Sequence, residues 1–368
     1  MKFNRYALSD LATIKYGKNQ KKVLSESGNI PIYGTGGLMG YATTALYDKP
    51  SVLIGRKGTI GKVKYVEHPF WTVDTLFYTI VNTDIVLPKY LYYVMSLIDL
   101  NNYNEGTTIP SLRTETLNRL EFDIPSLVEQ ETILSCLNPI DEKIALNNAI
   151  NNNLEQQAQA VYNKMFSEVN SEPVELSSII DVRDGTHDSP KVQTTGYYLI
   201  TSKHLLSFGV DKASANHISK VDFDKINERS LVETKDILMS MIGTIGLISY
   251  IPYEAIDFAI KNVALFKTSH TPELAYYFLC YLKSEKTLQH IEKCLAGSTQ
   301  KYISLGELRK MPIYTPTTDE IREFNCLVKP MFEEIVSRTY ENTLLAEMRD
   351  TFLPKLMSGE LDVSDIDL

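Results

Sequence analysis

Residues 51–66 read SVLIGRKGTIGKVKYV, and residues 236–251 read DILMSMIGTIGLISYI. In each stretch an apolar run ends at the four residues GTIG, and a second apolar run follows. Apolar runs that flank a short glycine-containing turn are typical of a β-hairpin. Glycine suits such a turn because it lacks a Cβ and adopts positive φ at little cost. The sequence therefore predicts the same strand–turn–strand unit twice in one chain.

The residues that follow each hairpin repeat at a constant offset. Six pairs of identical residues lie 191 positions apart: Gly106 and Gly297, Leu117 and Leu308, Pro125 and Pro316, Glu129 and Glu320, Pro139 and Pro330, Lys164 and Lys355. The residues before each hairpin match more loosely, with LSDLATIKYGK at 8–18 against LSSIIDVRDGT at 176–186. A fixed offset over some sixty residues indicates an internal duplication.

Each half is predicted to enter a helix at the same point. Ser126 and Glu129 in the first half, and Thr317 and Glu320 in the second, have the spacing of a capping box. In this motif the hydroxyl and the carboxylate each accept a hydrogen bond from a main-chain N–H of the first helical turn. The two pairs lie at equivalent positions of the duplication, so the predicted helices are equivalent too.

Pro139 and Pro330 are expected to end these helices and to begin longer ones, since proline lacks the N–H of a helix interior but suits a first turn. Beyond each proline, side chains recur at the three- and four-residue spacing of a helix-packing seam. The predicted seam is Ile140, Ile144, Asn147, Asn151, Leu154, Ala158, Val161 and Met165, then Met331, Ile335, Arg338, Asn342, Leu345, Arg349, Phe352 and Leu356. An antiparallel pair with a shared polar layer is favoured, because a compact region separates the helices. Two helices that each pack on their own domain are the alternative.

Composition and length favour an ordinary globular protein. The chain has 368 residues, of which 43% are hydrophobic and 23% are charged, enough for two or three domains. No apolar leader follows Met1 and no 18-residue apolar run occurs, so we expect a soluble, cytoplasmic protein. The four cysteines, Cys136, Cys280, Cys294 and Cys326, lack zinc-site spacing, and we expect reduced thiols and no metal.

Charge is distributed unevenly along the chain. The net charge is −9, yet residues 1–65 contain eleven basic and only three acidic residues. Residues 126–172 and 318–368, which hold the predicted helices, are acidic. A basic N-terminal region suits phosphate groups, whereas acidic helices suit protein partners.

The glycine-rich stretches allow three interpretations. A nucleotide-binding loop is disfavoured, because IGRKGTIGKV lacks the Walker A spacing and GTGGLMG at 34–40 misses the dinucleotide fingerprint by one residue. A purely structural turn explains the glycines themselves. A turn that also contacts phosphate is the third interpretation, supported in the first copy by Arg56, Lys57 and Lys62. The matching positions of the second copy are apolar.

No catalytic constellation is indicated. Glu233 and Lys235, with Asp222 or Asp224 upstream, imitate a metal-dependent nuclease triad, but such an arrangement arises readily by chance. The histidines show no zinc-protease spacing. Two equivalent domains held apart by a spacer, without an active site, are typical of a protein that recognises a partner and does not catalyse a reaction. We therefore expect no enzyme activity from this chain by itself. A stand-alone nuclease remains the unlikely alternative.

These features resemble the specificity subunit of type I restriction–modification enzymes. The resemblance covers essentially the whole chain and rests on the paired motifs of the two halves. These are PSVLIGRKGTIGKV (50–63) and KDILMSMIGTIGLI (235–248), GTTIPSLRTETLNRLEFDIPSLVEQETI (106–133) and GSTQKYISLGELRKMPIYTPTTDEI (297–321), and the terminal FLPKLMSGEL (352–361).

The resemblance implies an α+β architecture with two mixed α/β target recognition domains and two long conserved helices that pair as an antiparallel coiled coil, related by an internal pseudo-two-fold repeat. The implied boundaries are 1–125 and 173–317 for the recognition domains, and 126–172 and 318–368 for the helical regions. Each domain would read one half of a bipartite site in double-stranded DNA, while the helices set the spacing and dock two modification subunits. Those subunits would bind S-adenosylmethionine, and restriction subunits, where present, would use ATP and Mg²⁺. This chain would need no cofactor and no membrane.

Loop residues are the candidates for DNA contact, since Arg, Lys, Gln and Thr dominate contacts to bases and phosphates. In the first domain they are Lys18, Lys21, Lys22, Tyr33, Thr35, Arg56, Lys57, Lys62, Thr107, Thr108 and Arg113. In the second they are Thr186, His187, Lys191, Lys203, His204, Ser298, Thr299, Gln300 and Lys301. A coiled-coil adaptor without DNA readout is the competing hypothesis.

Overall fold

The computed structural model describes residues 1–166, 172–297 and 300–363. The helices and strands in these ranges are, in chain order, β1 (Asn4–Ala7), α1 (Leu8–Leu11), β2 (Ala12–Tyr16), β3 (Ile30–Gly34), β4 (Gly37–Ala42), β5 (Ser51–Gly55), β6 (Val63–Val66), β7 (Trp71–Thr72), β8 (Leu76–Val81), α2 (Pro88–Ser96), α3 (Thr114–Asn118), β9 (Glu121–Ile124), α4 (Leu127–Phe166), β10 (Val174–Glu175), β11 (Val182–Asp184), β12 (Tyr197–Ile200), β13 (Asn216–Ile218), α5 (Lys220–Ser230), β14 (Ile237–Ser240), β15 (Ile248–Tyr250), β16 (Phe258–Ile260), β17 (Val263–Phe266), α6 (Ala275–Lys283), α7 (Glu285–Lys293), α8 (Leu305–Arg309), β18 (Pro312–Ile313) and α9 (Thr318–Ser358).

The chain divides into two compact units. The first combines Met1–Ile144 with the residues from Leu344 on, and the second is Ala145–Thr343. Each unit therefore contains part of α4 and part of α9. The linear domain boundaries at 125, 172 and 317 stay predictions, because the compact units do not follow them.

The two units have the same sheet topology. The first has a four-stranded sheet in the order β2-β8-β5-β6, a three-stranded sheet β4-β3-β7 and the pair β1-β9. The second has β11-β17-β14-β15, β13-β12-β16 and β10-β18, the same order strand for strand. In each three-stranded sheet one pair is parallel, β3 with β7 and β12 with β16. The predicted α+β fold with an internal repeat is confirmed.

Both GTIG hairpins form as predicted. Strands β5 and β6 pair antiparallel in the first unit, and β14 and β15 do so in the second. Gly58 and Gly243 occupy equivalent places in the turns with φ of +86° and +80°, a region that disfavours side chains. Every residue of β5 and β14 is buried, because the two faces of each strand pack into different hydrophobic clusters. The hairpins thus anchor their turns on the core.

Helices α4 and α9 run through the prolines that were predicted to end them. Pro139 and Pro330 lie inside continuous helices of 40 and 41 residues, so that prediction is wrong. Proline removes one main-chain hydrogen bond of the helix. Both prolines are exposed, so water can hydrate the carbonyl that loses its partner, while buried Leu137 and Phe332 nearby hold the helices to their cores.

The capping boxes form at both helix starts. The carboxylate of Glu129 accepts from the N–H and hydroxyl of Ser126, and Glu320 does the same with Thr317. These bonds lower the pKa of the Glu320 carboxyl below its usual value. The sequence therefore predicted the entry to each long helix correctly, although not its length.

Contacts within each unit show that the two helices pack antiparallel. In the first unit Arg349 of α9 donates to Asp141 of α4 at 3.1 Å. In the second, the Asn147 amide nitrogen lies 2.9 Å from Asn342 Oδ1, and Asn151 lies farther along α4 against Thr339. Rising numbers on α4 meet falling numbers on α9, which confirms the predicted direction. Among the described residues no helix combines the length and apolarity needed to cross a membrane.

The predicted seam is only partly right. Asn147 and Ile335 are buried, whereas Ile140, Ile144, Asn151, Leu154, Val161, Met165, Met331, Arg338, Asn342 and Leu345 are half-buried. Phe352 is 41% exposed, so its assignment is wrong. The neighbouring Leu353 and the predicted Leu356 are buried in the first core instead. The helices pack on the domain cores as well as on each other, which widens the apolar face beyond one narrow stripe.

Candidate nucleic-acid interface

In the first unit a second loop packs against the GTIG turn. The Gly58 N–H donates to the Pro110 carbonyl at 2.9 Å, and the Leu112 N–H donates to the Arg56 carbonyl at 3.0 Å. The loop that holds Thr107, Thr108 and Arg113 therefore lies beside the turn that holds Arg56, Lys57 and Lys62. Six of the predicted contact residues are brought together by main-chain hydrogen bonds.

Side chains around this turn are fixed to different degrees. Arg56 donates to the Asp74 carbonyl at 2.8 Å, and its guanidinium lies 5.0 Å from the Tyr16 ring centroid. Arg113 pairs with Glu105 at 3.1 Å. Lys57 and Lys62 are exposed. The turn thus presents two exposed ammonium groups beside an arginine held by its neighbours.

Lys64 belongs to the same basic surface, although it was not among the predicted contacts. Its Nζ lies 3.9 Å from the centroid of the Tyr33 ring, and burial lowers the pKa of its ammonium group. The sequence contained a signal for Lys64, because it lies two residues after Lys62, at the start of β6.

The loop after β2 carries three further predicted lysines. Lys18, Lys21 and Lys22 are exposed. The loop is anchored by the Trp71 Nε1–H, which donates to the Lys18 carbonyl at 2.8 Å. At Gly17 a Cβ would lie 2.0 Å from the Val73 carbonyl oxygen, so only glycine permits this approach.

In the second unit the equivalent loop lines a cleft. The cleft has a volume of about 610 Å³ and combines the loop after β11 with α5. Its lining residues are Thr186, His187, Asp188, Ser189, Pro190, Lys191, Asp222, Lys225, Ile226, Arg229 and Ser230. Three predicted contacts, Thr186, His187 and Lys191, come together here.

The carboxylate of Asp184 positions two side chains of this cleft. It lies 2.7 Å from Nη2 of Arg229 and 3.0 Å from Nε2 of His187. The other ring nitrogen of His187 lies 2.8 Å from Oδ1 of Asn262. Arg229 and Lys225 were missed by the sequence analysis, because nothing local indicates that α5 folds against the 186–191 loop.

The second GTIG turn is also backed by a loop. The Ile303 N–H donates to the Met241 carbonyl at 3.0 Å. Gln300 and Lys301 are exposed on this loop, and Lys203 is exposed on another. The predicted contacts Ser298 and Thr299 lie outside the described residues. Thr35 in the first unit is half-buried.

Two predicted contacts are buried and are corrected here. Tyr33 belongs to a small core cluster, and its hydroxyl lies 3.0 Å from His68 Nε2. His204 is 2% exposed, and its Nδ1 accepts from the Thr201 N–H. Burial lowers the pKa of His204 and so favours its neutral form. Both rings complete the interior, which sequence spacing alone did not indicate.

The residues that resemble a nuclease triad in the sequence have other partners in the structure. Glu233 lies 2.6 Å from the ammonium of Lys267. Asp222 accepts from the hydroxyl of Ser219, the N-cap of α5, and Asp224 pairs with Lys220. Across the described ranges no group of three or more His, Cys, Asp or Glu side chains is placed to hold a metal ion.

The sequence of this chain is similar to those of known specificity subunits. A sequence profile described as "Type I restriction modification DNA specificity domain" matches residues 2–156 and residues 168–324. The type I restriction enzyme MjaIX specificity subunit of Methanocaldococcus jannaschii is 25% identical over 353 residues, covering 87% of this chain and 80% of that protein. The HindI specificity subunit of Haemophilus influenzae is 23% identical over 385 residues, covering 82% of this chain and 84% of that protein.

The fold has a solved counterpart. The crystal structure of the type I restriction-modification system S subunit from M. genitalium matches with a TM-score of 0.52 and 16% sequence identity, over 97% of this chain and 96% of that one. At this identity the likeness concerns the fold. Because the family profile matches twice and covers most of the sequence, the chain belongs to the type I restriction modification DNA specificity family and carries its domain twice.

Proposed function

We propose that each recognition domain reads one half of a bipartite DNA site, and that the α4–α9 pair sets the spacing of the two halves. One observation carries the proposal: the two units repeat the same strand order, with a GTIG turn at the same place, but line it with different side chains. Lys57 and Lys62 of the first turn correspond to Ile242 and Leu247 of the second. Two domains with the same fold but different side chains at the turn are suited to recognise two different half-sites.

The acidic helices are proposed to dock two modification subunits. Residues 126–172 and 318–368 hold most of the excess negative charge of the chain, which disfavours contact with phosphate and favours protein partners. Methyl transfer would use S-adenosylmethionine bound by the modification subunits, and this chain would contribute specificity without catalysis. Restriction subunits, with ATP and Mg²⁺, would complete a cleaving complex.

Exchange of one domain tests the proposal. Residues 173–317 are replaced by the corresponding segment of another family member, and the chain is expressed with its modification subunits. Methylome sequencing is expected to show a split motif in which one half changes and the other half and the spacer persist. Methylation without any sequence preference would favour the adaptor hypothesis, and loss of both halves together would contradict independent reading.

The lysines of the first turn are expected to contact phosphate. In the complex with modification subunits, Lys57→Ala combined with Lys62→Ala should reduce the slope of log affinity against log salt by about 2, one for each contact removed. Fluorescence anisotropy with a duplex carrying the methylated motif measures the slope. Lys49→Ala is the matched control, because Lys49 is exposed and precedes the other end of β5. Equal slopes for both variants would contradict the assignment.

A further inference from the structure

The stretch GTGGLMG at 34–40, which fits no nucleotide-binding fingerprint, forms the hairpin between β3 and β4. We propose that Leu38 and Met39 of this hairpin form an apolar wedge that enters the base stack of duplex DNA at the first half-site. The inference rests on the proposed function, because it assigns a second kind of contact to the first recognition domain.

A β-bulge in this hairpin determines the positions of Leu38 and Met39. Gly34 pairs with Gly37 and Tyr33 with Leu38, and the register then shifts, so that Met39 is an extra residue of β4. Such a bulge bends the strand and redirects its side chains. Gly37 and Gly40 have φ of +112° and +145°, which only glycine adopts readily.

Both side chains leave about half of their surface open to solvent. Leu38 is 54% exposed and Met39 is 55% exposed. Both lie on β4, an edge strand of its sheet. A Cβ added to Gly34 would lie 2.3 Å from the Met39 sulfur, so the glycine leaves the space that Met39 occupies. Apolar exposure on an edge strand favours aggregation unless a partner uses it.

Lysines on the strands and the turn next to this hairpin indicate the partner of the wedge. Tyr33, the cross-strand partner of Leu38, has the Lys64 ammonium 3.9 Å from its ring centroid. Thr35 at the hairpin tip lies beside the GTIG turn, with its Oγ1 4.0 Å from a Cβ placed on Gly58. The same turn carries exposed Lys57. Apolar side chains beside lysines match a duplex, whose stacked bases lie between phosphates, better than they match an apolar protein surface.

Proteins that kink DNA insert Leu, Met, Ile, Phe or Pro between base steps, and the bend lets more protein surface contact the duplex. In the second unit Asn216 and His217 occupy the positions of β13 that correspond to Leu38 and its neighbours in β4. The wedge is therefore assigned to one half-site, and the distortion it causes should be one-sided.

A 2-aminopurine scan tests the wedge. The probe is placed at successive positions of both half-sites, outside the bases that are methylated, in a duplex bound by the complex of this chain with its modification subunits. Fluorescence is expected to rise at one step of the first half-site, because 2-aminopurine brightens when it is unstacked. Leu38→Ala combined with Met39→Ala should abolish that rise and weaken binding about a hundredfold, about tenfold for each apolar side chain that is no longer buried.

Controls separate the wedge from the proposed function. Leu206→Ala, at an exposed leucine of the second unit, should leave signal and affinity unchanged. Specific binding by the unaltered complex without any rise would overturn the wedge but leave half-site reading intact. A double variant that loses its modification subunits, with the rise retained on the DNA it still binds, would make the hairpin a protein contact and also overturn the wedge. Absence of any sequence preference would refute both.

Discussion

Replacement of Lys267 by methionine is expected to destabilise the second unit by about 3–5 kcal/mol. The Lys267 side chain is 1% exposed, and its ammonium lies 2.6 Å from Asp236 and 2.6 Å from Glu233. Asp236 is fully buried. Methionine keeps most of the volume but removes the charge, so the Asp236 carboxylate stays buried without its cation. Breaking one side of a buried pair costs far more than the pair contributes.

Urea unfolding of the full chain, followed by circular dichroism, measures the effect as a lower midpoint of the second-unit transition. Glu233→Gln is the matched control, because Glu233 is 47% exposed, and its change should stay below about 1 kcal/mol. Adding Asp236→Leu to Lys267→Met should recover much of the loss. An unchanged midpoint for Lys267→Met alone would show that the carboxylate finds another partner.

Replacement of Asn147 by leucine is expected to cost about 2–4 kcal/mol, since hydrogen bonds to charged groups are worth about 1.5–3 kcal/mol each. The Asn147 amide donates to Glu341 at 2.7 Å and to Asn342 at 2.9 Å, and its carbonyl accepts from Arg338 at 2.9 Å. Leucine would remove all three bonds while the polar partners stay in the same layer.

Thermal or urea unfolding measures this cost. Asn152→Leu, at an exposed position of the same helix, should change stability by no more than about 0.5 kcal/mol. An apolar layer made by replacing Asn147, Arg338 and Asn342 together should be more stable than the single variant, because no polar group is then left without a partner. A single variant as stable as the parent would contradict the view that these three hydrogen bonds stabilise the helix pair.

Local patterns predicted the parts of the fold that local physics determines. The GTIG hairpins and the capping boxes depend on residues a few positions apart, and both formed as predicted. The direction of helix pairing followed from connectivity. The prediction that Pro139 and Pro330 end the helices was wrong because both prolines are exposed. Exposure depends on the packing of the whole helix and could not be predicted from the residues nearby.

Contacts between distant segments could not be predicted in the same way. The buried pair of Lys267 and Asp236 joins residues 31 positions apart, and Arg229 reaches Asp184 across 45. Tyr33 and His204 looked like exposed loop residues because their burial depends on strands elsewhere in the chain. The basic turn of the first domain was predicted because Arg56, Lys57 and Lys62 lie within seven residues of each other in the sequence. The cleft of the second domain combines two distant segments and was not predicted.

The sharing of α4 and α9 between the two units has a consequence for the order of folding during translation. Leu353, Leu356 and Met357 help to fill the core of the first unit, yet they follow the whole of the second unit in the sequence and are therefore synthesised after it. While the second unit is being made, the core of the first stays open on the side that these residues cover. The unit that is synthesised first is therefore the one that is completed last.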